Sequence, residues 1–125
     1  MLSITLNNKA PIYEQLVERI EFLILNGFLA ENEQLPSVRE LATQLAVNPN
    51  TVQKAYTYLE QEGVTYSVSG KGRFVTDNVE SLKEKRVLAL LKEFTDAVLK
   101  LKKSGTDKEF LKNEIEKIYK EGNEK

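Results

Sequence analysis

The sequence predicts a mainly α-helical chain with one small β-hairpin, set out as an N-terminal domain over residues 1–76 and a two-helix arm over residues 77–125. Three observations predict it. Apolar residues recur at helical spacing in separate stretches that are opened or closed by capping residues. One β-favouring run, VTYSV, is followed by the glycine-bearing tip SGKGR and a second short run, FV. From about Val79 the composition shifts to Lys, Glu and Leu without β-branched clusters, and the apolar residues narrow to stripes.

At 125 residues and 41% hydrophobic content, the chain suits one small domain with an appended element. It has no cysteine and no histidine, which excludes disulfides, thiolate metal sites and the commonest general base. Acidic residues are scattered at helical spacing rather than paired, so neither an enzyme, nor a metal, nor a cofactor is expected. No apolar run approaches the roughly 20 residues that span a bilayer, and no secretory signal is recognised at the start, so the expected location is the cytoplasm, without a membrane partner. Net charge is −1, and its distribution is uneven. Residues 1–33 carry two basic and five acidic side chains, whereas residues 34–76 carry four and three. That balance permits a DNA partner without indicating one.

The elements follow in order. Ser3 to Leu6 alternates polar and apolar and reads as a short strand. Pro11 suits the first turn of a helix whose apolar face is Ile12, Leu16, Ile20, Leu23 and Ile24, and Gly27 is its stop. Ser37 and Glu40 have capping-box spacing ahead of the stripe Val38, Leu41, Ala42 and Leu45. After a turn through Val47 and Asn48 the pattern restarts at Val52, Ala55, Tyr56 and Leu59, with Asn48 as N-cap, Pro49 in the first helical position and Gly63 as the end. The hairpin occupies residues 64–76. Its basic tip is no phosphate loop, because that pattern needs Gly where Thr65 stands and Ser or Thr where Gly72 stands. In the arm, Val87, Leu91, Phe94, Val98 and Leu101 step by four and three, Ser104-Gly105 breaks the helix, and Thr106 with Glu109 spaces a second capping box. Leu111, Ile115 and Ile118 mark the last helix. The two arm helices are expected to pack on each other and on a second copy of the chain, giving a homodimer.

Helix, short helix, tight turn, helix and hairpin is the winged helix-turn-helix order, here with the helix-turn-helix over 37–62 and the wing over 64–76. If Val52, Ala55, Tyr56 and Leu59 point inward, the opposite face is Asn50, Gln53, Lys54 and Thr57, side chains able to pair with base edges in the major groove of double-stranded DNA. Thr51 joins Asn50 and Gln53 at the N-terminal turn, whose positive end favours phosphate. Arg39 is assigned to phosphate or an adjacent base from the supporting helix, and Lys71 and Arg73 flank Gly72 at the wing tip, placed to follow phosphates or enter the minor groove. The alternative is a winged-helix protein-interaction module without DNA binding. It calls for an apolar exposed face on the third helix, which the sequence does not have there.

The stretch LPSVRELATQLAVNPNTVQKAYTYLEQEGV followed by SGKGRFV closely resembles the DNA-binding domain of GntR-type bacterial transcription regulators, and PIYEQL with VNPNTVQKAY resembles the YtrA-like subfamily. The resemblance covers about residues 1–76, and the short helical C-terminal region matches that subfamily's dimerisation hairpin. It implies a homodimeric repressor on a palindromic operator, often controlling its own operon with neighbouring ABC-transporter genes. It places DNA contacts on the Pro-Ser-x-Arg stretch that holds Ser37 and Arg39, on Asn48, Asn50, Thr51 and Gln53, and on the wing glycine Gly70. Many relatives have Arg where this chain has Gln53, Arg or Ser in place of Asn48-Pro49, and Thr in place of Arg73. The arm is too short to enclose a metabolite in the manner of larger members, so a small-molecule effector, if there is one, would bind between subunits.

Overall fold

The computed structural model of the chain describes residues 2–123, so the outermost ends of both predicted domains lie outside the described residues. The elements run α1 (Ile12–Leu25), α2 (Val38–Leu45), α3 (Pro49–Gln61), β1 (Thr65–Val68), β2 (Gly72–Val75), α4 (Val79–Lys103) and α5 (Lys108–Asn123). Two compact units result, one ending at Glu84 and one beginning at Lys85.

The core of the first unit comes from the apolar stripes. Leu16, Ile20 and Ile24 of α1, Leu41 of α2, and Val52, Ala55, Tyr56 and Leu59 of α3 are buried together with Val64 and Val75 of the hairpin. Every α3 residue expected to point inward does so. Pro11 precedes α1 as its N-cap rather than entering the first turn, and Gly27 follows Asn26 with φ +78, a left-handed position that glycine adopts without a Cβ penalty.

The hairpin pairs Thr65 with Val75 and Val68 with Gly72, and the Lys71 N–H donates to the Val68 carbonyl at 2.9 Å to close the tip. The other edge of β2 is covered by residues 32–35, a pairing the sequence did not announce. Leu35 N–H donates to the Arg73 carbonyl at 2.8 Å, Val75 N–H to the Glu33 carbonyl at 2.9 Å, and Asn32 N–H to the Val75 carbonyl at 2.9 Å. Apart from the buried Leu35 the segment is polar, and it lacks β-branched residues. Backbone hydrogen bonds to an available edge, not side-chain preference, make it extended.

The strand expected over Ser3 to Leu6 is not formed. The segment packs Leu2, Ile4 and Leu6 toward the core, and side chains satisfy its carbonyls: Gln44 Nε2 donates to Leu2 O at 2.9 Å and Arg19 Nε to Ser3 O at 3.1 Å. Among the described residues the sheet consists of β1 and β2 alone, and this segment does not join it.

At the far end of this unit, α4 begins under tertiary control. Asn78 Oδ1 accepts from the Ser81 N–H, Glu31 Oε2 accepts from the Val79 N–H at 2.8 Å, and Leu82 is buried in the core. The first residues of α4 therefore belong to the compact unit that was expected to close at residue 76. In the second unit, Gly105 with φ +82 ends α4. Helix α5 starts at Lys108, so the residue ahead of it is Asp107 and not Thr106, while Glu109 pairs with Lys112 at 3.4 Å. No described residue of α5 is buried, so the expected burial of arm helix on arm helix within one chain is not seen. Val87, Leu91, Phe94, Leu101, Ile115 and Ile118 are exposed, and Val98 and Leu111 are half-buried.

Candidate nucleic-acid interface

Helix α2 is opened by a complete capping box. Ser37 Oγ accepts from the Glu40 N–H at 3.0 Å, and the Ser37 N–H donates to Glu40 Oε1 at 2.9 Å. The Ser37 backbone N–H first, and its hydroxyl second, hold the Glu40 carboxyl below its ordinary value of 4.5. Arg39, one position past the helix start, is exposed.

The turn between α2 and α3 is made by Ala46 at φ +55, ψ +45, followed by Asn48, whose Oδ1 accepts from the Asn50 N–H at 2.8 Å. Pro49 takes the first helical position, where its missing N–H has no partner to lose. Asn48 thus spends its carbonyl oxygen on capping.

On α3 the structure brings Asn50, Gln53, Lys54 and Thr57 onto one exposed face opposite the buried one, whereas Thr51 is half-buried. Two members of that face are already engaged. Gln53 Nε2 donates to Thr57 Oγ1 at 3.1 Å, and Lys54 Nζ sits 3.8 Å from the centre of the Tyr13 ring, near enough for a cation–π attraction. That places the ammonium beside the start of α1, a neighbourhood no spacing in α3 could have indicated.

The wing tip carries Gly70 at φ +75, exposed Lys71, and Gly72 at φ +119. Gln34 Nε2 donates to the Lys71 carbonyl at 2.8 Å and lies 2.8 Å from where a Cβ on Gly72 would stand. Its backbone angle favours glycine at 72, and a Cβ there would also push the Gln34 amide aside. Gln34 carried no sequence signal, because its role depends on the pairing of residues 32–35 with β2.

Arg73 departs from its expected place. Its guanidinium turns away from the tip toward α3, 5.4 Å from the centre of the Tyr56 ring, with Nη1 3.7 Å from Glu60 Oε1 and its side chain 22% exposed. That ion-pair distance is too long for a hydrogen bond, and Nη1 is buried without one. Glu60 Oε1 is instead the acceptor of a short hydrogen bond from Ser67 Oγ. Tyr56, beneath the guanidinium, donates to the Pro36 carbonyl at 2.7 Å, and burial pushes its hydroxyl well above the usual phenol range against the opposing influence of Arg73. Tyr56, Glu60, Ser67 and Arg73 therefore join the recognition-type helix to the hairpin. Of these four the sequence singles out Tyr56 as part of the buried face and Arg73 for a different role.

Among the described residues no helix is long and apolar enough to cross a membrane. The family described as "Bacterial regulatory proteins, gntR family" matches residues 12–75. The chain is 35% identical over 119 residues to the HTH-type transcriptional repressor YtrA of Bacillus subtilis, covering 95% of this chain and 87% of that protein. A transcriptional regulator from Oenococcus oeni superposes with a TM-score of 0.74 at 39% identity, covering 95% of this chain and 99% of the other. The AraR DNA-binding domain, solved in complex with operator ORX1, superposes with a TM-score of 0.54 at 31% identity over 60% of this chain and 96% of that one. The chain belongs to the GntR family of bacterial regulatory proteins and is a DNA-binding transcription regulator, not an enzyme.

Proposed function

We propose that the chain acts in the cytoplasm as a homodimeric repressor that occludes a promoter by binding a palindromic operator. The observation that carries this reading is the exposed polar face of α3, Asn50, Gln53, Lys54 and Thr57, lying opposite its buried apolar face in a family of DNA-binding regulators. Asn50 and Gln53 suit base edges. Thr51, Asn48 and the α3 N-terminus suit an adjacent phosphate, as do Ser37 and Arg39 at the start of α2. Lys71 at the glycine-bearing tip follows the backbone, while Arg73 is kept for holding the wing.

Homodimerisation draws support from the arm. Val87, Leu91, Phe94, Leu101, Ile115 and Ile118 expose apolar side chains, and full burial is worth about 1.5–3 kcal/mol for a side chain of this kind. A second copy covering this face would set two recognition helices about one DNA turn apart, roughly 34–36 Å. Control of its own operon alongside ABC-transporter genes rests on the resemblance to YtrA-like regulators alone, and an effector, if one acts, is placed between subunits.

The test is selection of bound duplexes from a randomised pool at moderate salt, with the protein's mass in solution measured alongside. Enrichment of an inverted repeat by a species of twice the chain mass is expected. A folded protein that enriches no sequence, or that binds a single half-site as a monomer, would overturn the reading.

A further inference from the structure

Gln53 and Thr57 lie one turn apart on the exposed face of α3, and the Gln53 amide donates to the Thr57 hydroxyl across 3.1 Å. This bond bears on which base Gln53 can read. A carboxamide has two N–H donors and one carbonyl acceptor. Bidentate pairing with adenine uses one of each, the donor toward N7 and the acceptor toward the N6 amino group. With one N–H given to Thr57, a single N–H and Oε1 remain, the complement of adenine. Guanine presents two acceptors, O6 and N7, along the same edge. Meeting both takes both N–H groups, and Thr57 holds one of them.

We propose that Thr57 is a positioning residue that orients the Gln53 amide and makes Gln53 discriminate for adenine against guanine, rather than reading a base itself. The inference rests on α3 being the recognition helix. It gives Thr57 a different role from the direct contact with a base edge or thymine methyl that its place on the helix suggests. The bond lies along the helix surface and is present in the chain without DNA.

The protein and its Gln53→Ala, Thr57→Val and Thr57→Ser variants would each be used to select duplexes from a randomised pool, with helix content checked by circular dichroism. Gln53→Ala identifies the base position that Gln53 reads, where adenine is expected to exceed guanine in the wild type. Thr57→Val is expected to lower that adenine-to-guanine ratio about tenfold at the same position. Thr57→Ser, which keeps the hydroxyl, is expected to retain the wild-type ratio. An unchanged ratio in Thr57→Val, a loss at a different base position, or a failure of Thr57→Ser to retain the preference would overturn the inference alone. No enriched sequence in the wild type would overturn the recognition-helix reading and this inference with it.

Discussion

The Arg73 guanidinium rests 5.4 Å from the centre of the Tyr56 ring and leaves its Nη1 3.7 Å from Glu60, so the second strand of the wing is tied to the middle of α3. A cation on a wing is usually read as a phosphate contact. Here burial, the aromatic face and the carboxylate hold it on the protein, and Lys71 is the cation left at the tip.

The two wing cations should therefore separate in a salt titration. Lys71→Ala is expected to weaken binding to all sequences alike and to flatten the slope of log affinity against log salt by about one for each chain bound, as one phosphate loses its cation. Arg73→Ala is expected to lower folding stability by about 1–2 kcal/mol through poorer packing and the absence of the cation–π attraction, with the salt slope unchanged. Denaturant unfolding and binding isotherms at several salt concentrations check both. A flattened slope in Arg73→Ala would return Arg73 to the DNA.

Capping of α2 should be visible in the pH dependence of stability. Because Glu40 has a folded-state value below 4.5, its stabilising contribution is fully present above about pH 4.5 and is lost as the pH falls through the lower folded value. Ser37→Ala removes the side-chain cap and the lesser cause of that shift, the hydroxyl, while the larger cause, the backbone N–H, stays. It is expected to cost about 1 kcal/mol at neutral pH and to make the acid side of the stability profile only slightly shallower. Thermal unfolding from pH 3 to pH 7 compares the two proteins.

Gly72→Ala should loosen the wing. Its Cβ would fall 2.8 Å from Gln34 Nε2 at a φ of +119, so Gln34 must leave the Lys71 carbonyl and the backbone remains strained. A loss of about 1–3 kcal/mol is expected. Adding Gln34→Ala relieves the clash and not the angle, so the double variant should recover only part of it. Faster hydrogen exchange at the Lys71 and Leu35 N–H groups would locate the effect.

The arm can be tested independently of the DNA surface. Phe94 is 50% exposed in the single chain, and Phe94→Glu would place a charge in the apolar stripe. The expected outcome is a monomer in sedimentation with α1 to β2 still folded, and an operator affinity lowered by about a hundredfold or more as two linked half-sites become separate. Unchanged mass would show that the dimer, if formed, uses another face.

Much of this protein was determined along the chain alone. The faces of α1, α2 and α3 follow from residues three and four apart, and the Ser37 and Asn48 caps from neighbours within three positions, so local periodicity and local hydrogen bonding sufficed. The family was legible for the same reason, since its motifs lie in one continuous stretch. Tertiary structure decided whatever depends on partners distant in sequence. Residues 32–35 became extended because β2 offered them an edge, and Leu82 joined the core because the Glu31 carboxylate anchored the start of α4. Arg73 turned inward because Tyr56 and Glu60 lie beneath the wing, and Lys54 found an aromatic face on α1. A residue's type limits what its side chain can do, but among partners far apart in sequence only the packed chain brings one of them within a few ångströms.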